Sequence, residues 1–144
     1  MKLSTRCRYG SRALLEIAKC YSREPVKRKE MCKRQGISES YLENILISLK
    51  SAGIIETIRG AHGGYILARQ PGEISLLDVA QALEGSVSSV ECLDDKTLCS
   101  RSGRCVTQDV WQEVKNAEEQ VLRNTSIQDL VERDKKYSKP DFVI

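Results

Sequence analysis

A mainly helical fold of the α+β class is what the sequence predicts, and three observations carry that prediction. Apolar residues recur at intervals of three and four through most of the 144-residue chain, the period of amphipathic helices. A single pair of β-prone runs, 54-IIETIRG-60 and 65-YILAR-69, is joined by AHGG, a glycine-containing connection that suits a hairpin. Charged residues make up 30% of the chain and aromatics only 5%, which fits helices around a modest core and not a large β-sandwich. The length suits one compact domain, or one small domain with an appendage, completed by a partner or a second copy.

Residues 6–22, RCRYGSRALLEIAKCYS, form the first predicted helix, with Leu14, Ile17, Ala18 and Tyr21 on one stripe and Arg6, Arg8, Arg12 and Lys19 largely off it. Residues 26–35, VKRKEMCKRQ, make a shorter helix that Gly36 halts. Ser38 has the chemistry of an N-cap ahead of ESYLENILISLKSAG, where Leu42, Ile45, Leu46 and Leu49 keep helical spacing until Gly53. Two helices joined by a tight glycine-containing turn, the second with a polar first turn, form a helix-turn-helix. With the hairpin behind them they predict a winged helix.

Pro71 and Gly72 break the chain, and Ser75 with Asp78 three residues later has the form of a capping box opening SLLDVAQALEG, which Gly85 closes. Residues 86–105 show neither helical nor strand periodicity, and loops of that length are usually functional or disordered. Val106, Val110, Val114, Ala117 and Val121 then repeat every three or four residues to about Asn124. Too little chain remains to cover this stripe, and its simplest partner is the same helix of a second copy. Trp111 reads as a packing anchor near the base of that helix. Ser126 and Asp129 suit the cap of one short further helix, and the tail ends on apolar Phe142, Val143 and Ile144. The expected division is a winged helix-turn-helix domain over 1–85, a cysteine-bearing loop over 86–105, a dimerisation helix over 106–124, and a short helix with tail over 125–144.

The net charge of +3 hides an asymmetry: residues 1–70 carry 14 Lys or Arg against 6 Glu, a balance of +8, and residues 71–144 carry 9 against 14 acidic residues, a balance of −5. The first half is charged for a polyanion. A recognition helix needs polar side chains at its N-terminal end, which enters the major groove of duplex DNA. Ser38, Ser40, Tyr41, Glu43 and Asn44 are the exposed candidates here. Serine bonds bases or phosphates, tyrosine reaches a phosphate or a thymine methyl, and glutamate accepts from cytosine N4 while penalising a purine edge or a phosphate. Arg59 and His62 stand among glycines at the wing tip, which is thin enough for a minor groove, although most such tips are plain turns. Arg8 and Arg12 of the first helix are the matching phosphate candidates.

The N-terminal MKLSTRCRYG lacks the apolar stretch of a signal peptide, and no window is apolar for long enough to span a membrane. A cytoplasmic protein without a membrane partner is expected. In that reducing setting six cysteines point to metal, redox chemistry or packing in place of disulfides. Cys20 and Cys32 fall in the predicted helices and read as small core residues. Cys92, Cys99 and Cys105 differ: they stand in a polar segment, with six and then five residues between them. Structural zinc sites favour pairs two to four residues apart, whereas wide spacing on a free loop lets soft thiolates wrap a larger centre such as an iron-sulfur cluster. Zinc and direct thiol sensing remain the alternatives. Lys96, Arg101 and Arg104 either offset the charge of such a centre or are solvated loop residues.

MKLSTRCRYG, GISESYLENILISLKSAGII, IRGAHGGYILAR and LLDVAQALEG followed by three cysteines together resemble the IscR, NsrR and CymR family of bacterial winged-helix transcriptional regulators, over residues 1–131. The resemblance implies a homodimer formed through the long helix, pseudo-palindromic double-stranded promoter DNA as partner, and, with three loop cysteines, an iron-sulfur cluster, 2Fe-2S ahead of 4Fe-4S. Three cysteines leave one coordination position to fill. The IscR branch has a histidine three residues after the third cysteine, where this chain has Gln108, a weak ligand. Other branches draw a carboxylate from the start of the first helix, where this chain has Cys7 and Arg8. Cys7 and Gln108 are therefore the candidate fourth ligands, with Glu91, Asp94, Asp95 and Asp109 as competitors.

The expected function is a sequence-specific DNA-binding regulator that reports cluster status, redox state or nitric oxide. No Ser, His and Asp set and no phosphate loop is present, and there is one histidine, so no enzyme is expected. The rival readings are a small cysteine-based redox protein or electron carrier, and a repressor whose loop carries zinc or free thiols.

Overall fold

The computed structural model describes residues 3–138 and contains six helices and one two-stranded sheet. The apolar tail Phe142, Val143 and Ile144 lies outside the described residues. Helix α1 runs Thr5–Lys19, opened by Ser4, whose hydroxyl accepts from the Cys7 amide. The helix ends three residues before the 22 expected from periodicity: Cys20 caps it and Ser22 turns left-handed at φ 62°. Tyr21 is thereby carried off the stripe and is exposed.

Helices α2, Arg28–Gln35, and α3, Glu39–Ser51, are joined by Gly36 at φ 64°, a left-handed conformation that glycine adopts without a Cβ penalty. Helix α2 starts two residues later than its charge pattern suggests. Val26 is instead buried in a short antiparallel bridge, exchanging backbone hydrogen bonds of 3.0 and 2.9 Å with Tyr65. That bridge ties the approach to α2 onto the wing. The wing pairs β1, Ile55–Ile58, with β2, Gly64–Leu67, antiparallel, Ile55 opposite Leu67 and Ile58 opposite Gly64.

Helix α4, Leu76–Glu84, and helix α6, Ile127–Tyr137, begin side by side. Ser75 and Asp78 close a capping box on the first and Ser126 and Asp129 on the second, both at the positions read from sequence. The two starts are stitched by Leu76 N–H to Thr125 O and Ile127 N–H to Ile74 O, each 2.8 Å. Long-range backbone bonds of this kind bring α6 into one core with α1 and α3: Ile127 and Val131 are buried with Leu14, Ile17, Leu42, Ile45, Leu46 and Leu49. Each fully buried aliphatic side chain contributes about 1.5–3 kcal/mol.

Gly10 shows how closely the head is packed. A Cβ there would sit 2.3 Å from Leu83 Cδ1 of α4 and 3.3 Å from Ile45 Cγ2 of α3, so α1, α3 and α4 meet at a glycine. Helix α5, Val106–Arg123, is the exception to this burial, with no buried residue along its 18 positions. Val106, Val110 and Val121 are exposed. Trp111, expected as a packing anchor, is 41% exposed and lies outside the buried core; its position on a helix with no buried residue accounts for the difference.

Candidate nucleic-acid interface and cysteine loop

Ser38, Ser40, Glu43 and Asn44 are exposed on the N-terminal half of α3, while Leu42, Ile45, Leu46 and Leu49 hold the opposite face in the core. Ser38 is the N-cap residue by position, yet its hydroxyl makes no cap hydrogen bond and so stays available. Tyr41 is half-buried and meets Tyr9 edge-on, ring centres 5.9 Å apart at 82°. The Arg12 guanidinium lies 5.3 Å from the Tyr9 ring centre and donates to Gln35 Oε1 at 2.7 Å and Gln35 O at 3.0 Å. Arg12 is thus bound to the end of α2, whereas Arg8 is exposed and, among the described residues, its side chain bonds Thr5 Oγ1 at 3.1 Å. Arg59 and His62 are exposed at the wing tip.

Two ion networks brace this face, and neither was read from the sequence. Glu16, 5% exposed on α1, accepts from Gln35 Nε2 at 2.7 Å, Arg34 Nη1 at 3.1 Å and Lys19 Nζ at 3.4 Å; Lys19 also reaches Asp134 of α6 at 2.9 Å. Burying a carboxylate is costly unless such partners bond it. Arg28, at the start of α2, pairs with Glu43 at 3.0 Å and Glu39 at 3.5 Å on α3. Apart from Lys19 with Glu16, three residues apart on α1, the partners lie far apart in sequence or across a turn, so periodicity carries no sign of them.

The loop between α4 and α5 contains a short 3-10 turn, Glu91–Leu93, and is held at two points. Asp94 accepts from Ser86 Oγ at 2.5 Å, Ser88 Oγ at 2.6 Å and Lys115 Nζ of α5 at 3.0 Å. The two hydroxyls, then the ammonium, draw its carboxyl down to about 2. Gln108, in the first turn of α5, forms the second clasp: its Nε2 donates to Cys92 O at 3.0 Å and Ser102 Oγ at 3.4 Å, and its Oε1 accepts from Gly103 N–H at 3.3 Å. One side chain bridges both arms of the loop.

Cys92 and Cys105 are half-buried and Cys99 is exposed. Cys105 occupies the N-cap position of α5; the Thr107 hydroxyl at 3.1 Å, and after it the Gln108 amide, hold its thiol below the usual range. Among the described residues no three His, Cys, Asp or Glu side chains converge at metal-binding spacing. The donor chemistry nevertheless fits a soft metal centre: three thiols on one segment, one of them held below the usual thiol range.

The two candidate fourth ligands occupy unlike surroundings. Gln108 is within the loop. Cys7 is 4% exposed at the start of α1, where burial, and then the Glu84 carboxylate, push its thiol up to about 11. Glu84 itself accepts from Ser4 N–H at 3.1 Å and from the Ser4 hydroxyl. Of the competitors, Asp94 is committed to its three donors and Asp95 to Thr97, whose amide and hydroxyl lie at 2.9 and 2.6 Å. Glu91 and Asp109 stand in the first turns of the 3-10 turn and of α5. Cys20 and Cys32 are half-buried and pack on the core, as expected. Beside the loop, a pocket of about 410 Å³ opens between its first residues and α5, floored by Val87, Ala117, Val121 and Leu122 and rimmed by Glu84 and Ser86. No helix among the described residues is long and apolar enough to cross a membrane.

Comparison with known proteins agrees with this architecture. The profile of the Rrf2 family, described as "Iron-dependent Transcriptional regulator", matches residues 3–133. Protein rrf2 of Nitratidesulfovibrio vulgaris is 43% identical over 131 residues, 91% of this chain and 87% of that protein. CymR of Bacillus subtilis is 36% identical over 130 residues, 90% of this chain and 89% of its own. The solved structure of CymR, the global cysteine regulator of B. subtilis, superposes with a TM-score of 0.79 at 33% identity, covering 96% of this chain and 99% of that one. The T. potens IscR structure superposes with a TM-score of 0.80 at 34% identity, covering 96% and 92%. A helix-turn-helix and wing of this build, matched along nearly the whole chain by regulators and by a family profile, place the protein in the Rrf2 family of winged-helix transcriptional regulators.

Proposed function

We propose that this chain is a homodimeric, sequence-specific DNA-binding regulator that senses through an iron-sulfur cluster, 2Fe-2S in preference to 4Fe-4S, held by Cys92, Cys99 and Cys105. The observation that carries the reading is the join between loop and recognition helix. The loop follows α4 directly, α4 packs against α1 and α3, and Leu83 and Ile45 meet over Gly10. Interiors packed at this density transmit displacement and do not absorb it. Drawing the Cys92 and Cys105 arms together moves the end of α4 and, through Leu83, the seat of α3. When bound, the cluster supplies the bonds that draw those arms together and a reactivity toward oxidants or nitric oxide that releases them. Val110, Val114, Ala117 and Val121 of α5 form the seam with a second copy, and the two recognition helices of the dimer, one per chain, address the half-sites of a pseudo-palindrome.

Anaerobic purification followed by iron and sulfide analysis tests the sensor, with about two of each per chain expected for the smaller cluster. DNA affinity should fall linearly with the logarithm of salt concentration, with a slope of roughly −0.9 per phosphate neutralised. A protein without iron and sulfide, or a salt-independent affinity, would falsify the corresponding half. A second reading rests on Cys105, whose thiol is lowered by Thr107, and on the likeness to a cysteine regulator: a repressor in which the loop thiols themselves react. Iron-free protein that loses DNA binding on mild oxidation would select it.

A further inference from the structure

Arg28 is at the first position of α2, and its guanidinium crosses the turn to the recognition helix. Nη1 lies 3.0 Å from Glu43 Oε1 and Nη2 lies 3.5 Å from Glu39 Oε2. Its Nε is buried and without a hydrogen-bond partner, and its side chain is only 32% exposed against 52% for Glu43. This arginine is therefore turned toward the protein and committed to two carboxylates, unlike the exposed Arg8 and Arg59. The ion pairs are half-solvated, and pairs of that kind contribute little to stability. Their effect on conformation is larger. Glu39 and Glu43 are four residues apart on one helix face, where like charges repel, and without a cation between them each carboxylate swings away from the other. The fork of an arginine holds both in fixed directions, which a flexible ammonium does not.

We propose that Arg28 is a specificity-determining positioning residue: it holds the Glu43 carboxylate in one orientation on the recognition helix, so that Glu43 can discriminate among base edges. Arg28 takes Oε1 of the exposed Glu43 carboxylate, and Oε2, outside that contact, is the oxygen left to accept from a cytosine amino group and to reject a purine edge. Arg28 touches no base itself. The inference rests on the DNA-binding reading above and adds a residue to it.

Selection of binding sites from a random duplex library, performed on the full-length chain and on Glu43→Ala, Arg28→Gln and the double variant, tests the role. Glu43→Ala should lose roughly tenfold preference at particular base pairs. Arg28→Gln should lose preference at those same base pairs, and the double variant should lose no more than Glu43→Ala alone. A merely structural arginine would lower affinity for all sequences and leave the selected motif intact, and that result overturns the proposal. So does a double variant that loses preference at additional positions. If Arg28→Gln does not fold, Arg28→Lys carries the same comparison: it keeps the charge and hence the salt dependence, and should still lose preference at the Glu43 positions. A wild-type chain that enriches no motif removes the DNA-binding reading and this inference together, whereas an enriched motif unchanged by either Arg28 variant removes the inference alone.

Discussion

The recognition face and the loop with α5 are built on opposite plans. Helix α3 buries four residues, is joined to α2 by the Arg28 pairs, and is followed by a wing that is itself bridged to Val26. Helix α5 is longer, buries nothing, and holds its loop through Lys115 to Asp94 and through Gln108. The first region is complete within one chain. The second presents apolar residues and thiols with little of its own chain against them. A stripe of valines states that a helix wants a cover, and among the described residues that cover is incomplete.

The largest expected effect breaks that contrast at α5. Asp at both Val114 and Val121 would place unpaired carboxylates in the proposed seam between two copies, costing several kcal/mol. The variant is expected to be monomeric by sedimentation while keeping the thermal transition of the head, because Val121 is 66% exposed in the single chain. A dimer that persists puts the interface elsewhere. The next effect should fall on the other side: Leu46→Ala removes a side chain 1% exposed in the core and should cost about 2–5 kcal/mol. Urea titration measures it, and the loss of DNA affinity should track the loss of fold. A stability change under about 1 kcal/mol would show that the head is looser than its burial indicates.

The smallest effect sharpens the comparison within the loop. Gln108→Ala removes the clasp between the two arms, and Cys7→Ser alters a buried thiol whose environment disfavours the thiolate. Gln108→Ala should shorten the lifetime of bound iron in air severalfold, as loss of outer-sphere support does in metal sites, and Cys7→Ser should leave it near wild type. The reverse order of lifetimes, followed by visible absorption, would make Cys7 the ligand and mean that the start of α1 rearranges to expose it.

Several features were legible in the residues because local chemistry decides them. Ser75 with Asp78 and Ser126 with Asp129 are capping boxes wherever they open a helix, Gly36 turns left-handed because it bears no Cβ, and the stripe of α3 follows from a period of 3.6. Other features required the assembled chain. Nothing around Arg28 announces that its partners are Glu39 and Glu43 in place of phosphate, and Glu16 reads as a surface residue until Arg34, Lys19 and Gln35 surround it. The helical ends moved for the same reason: Val26 left α2 for the wing because a backbone bridge to Tyr65 competes with one more turn of helix.

By itself, the sequence determined the class of the fold, the order of its elements, the charge division between the halves and the presence of three thiols on one loop, since each depends on residue type and spacing alone. Tertiary structure decided which charges are paired, that Cys7 is sealed beside Glu84 while Gln108 reaches both arms of the loop, and that no described residue of α5 is buried. These depend on which distant segments meet. Electrostatic pairing and desolvation fall off within a few ångströms, and only folding sets distances on that scale.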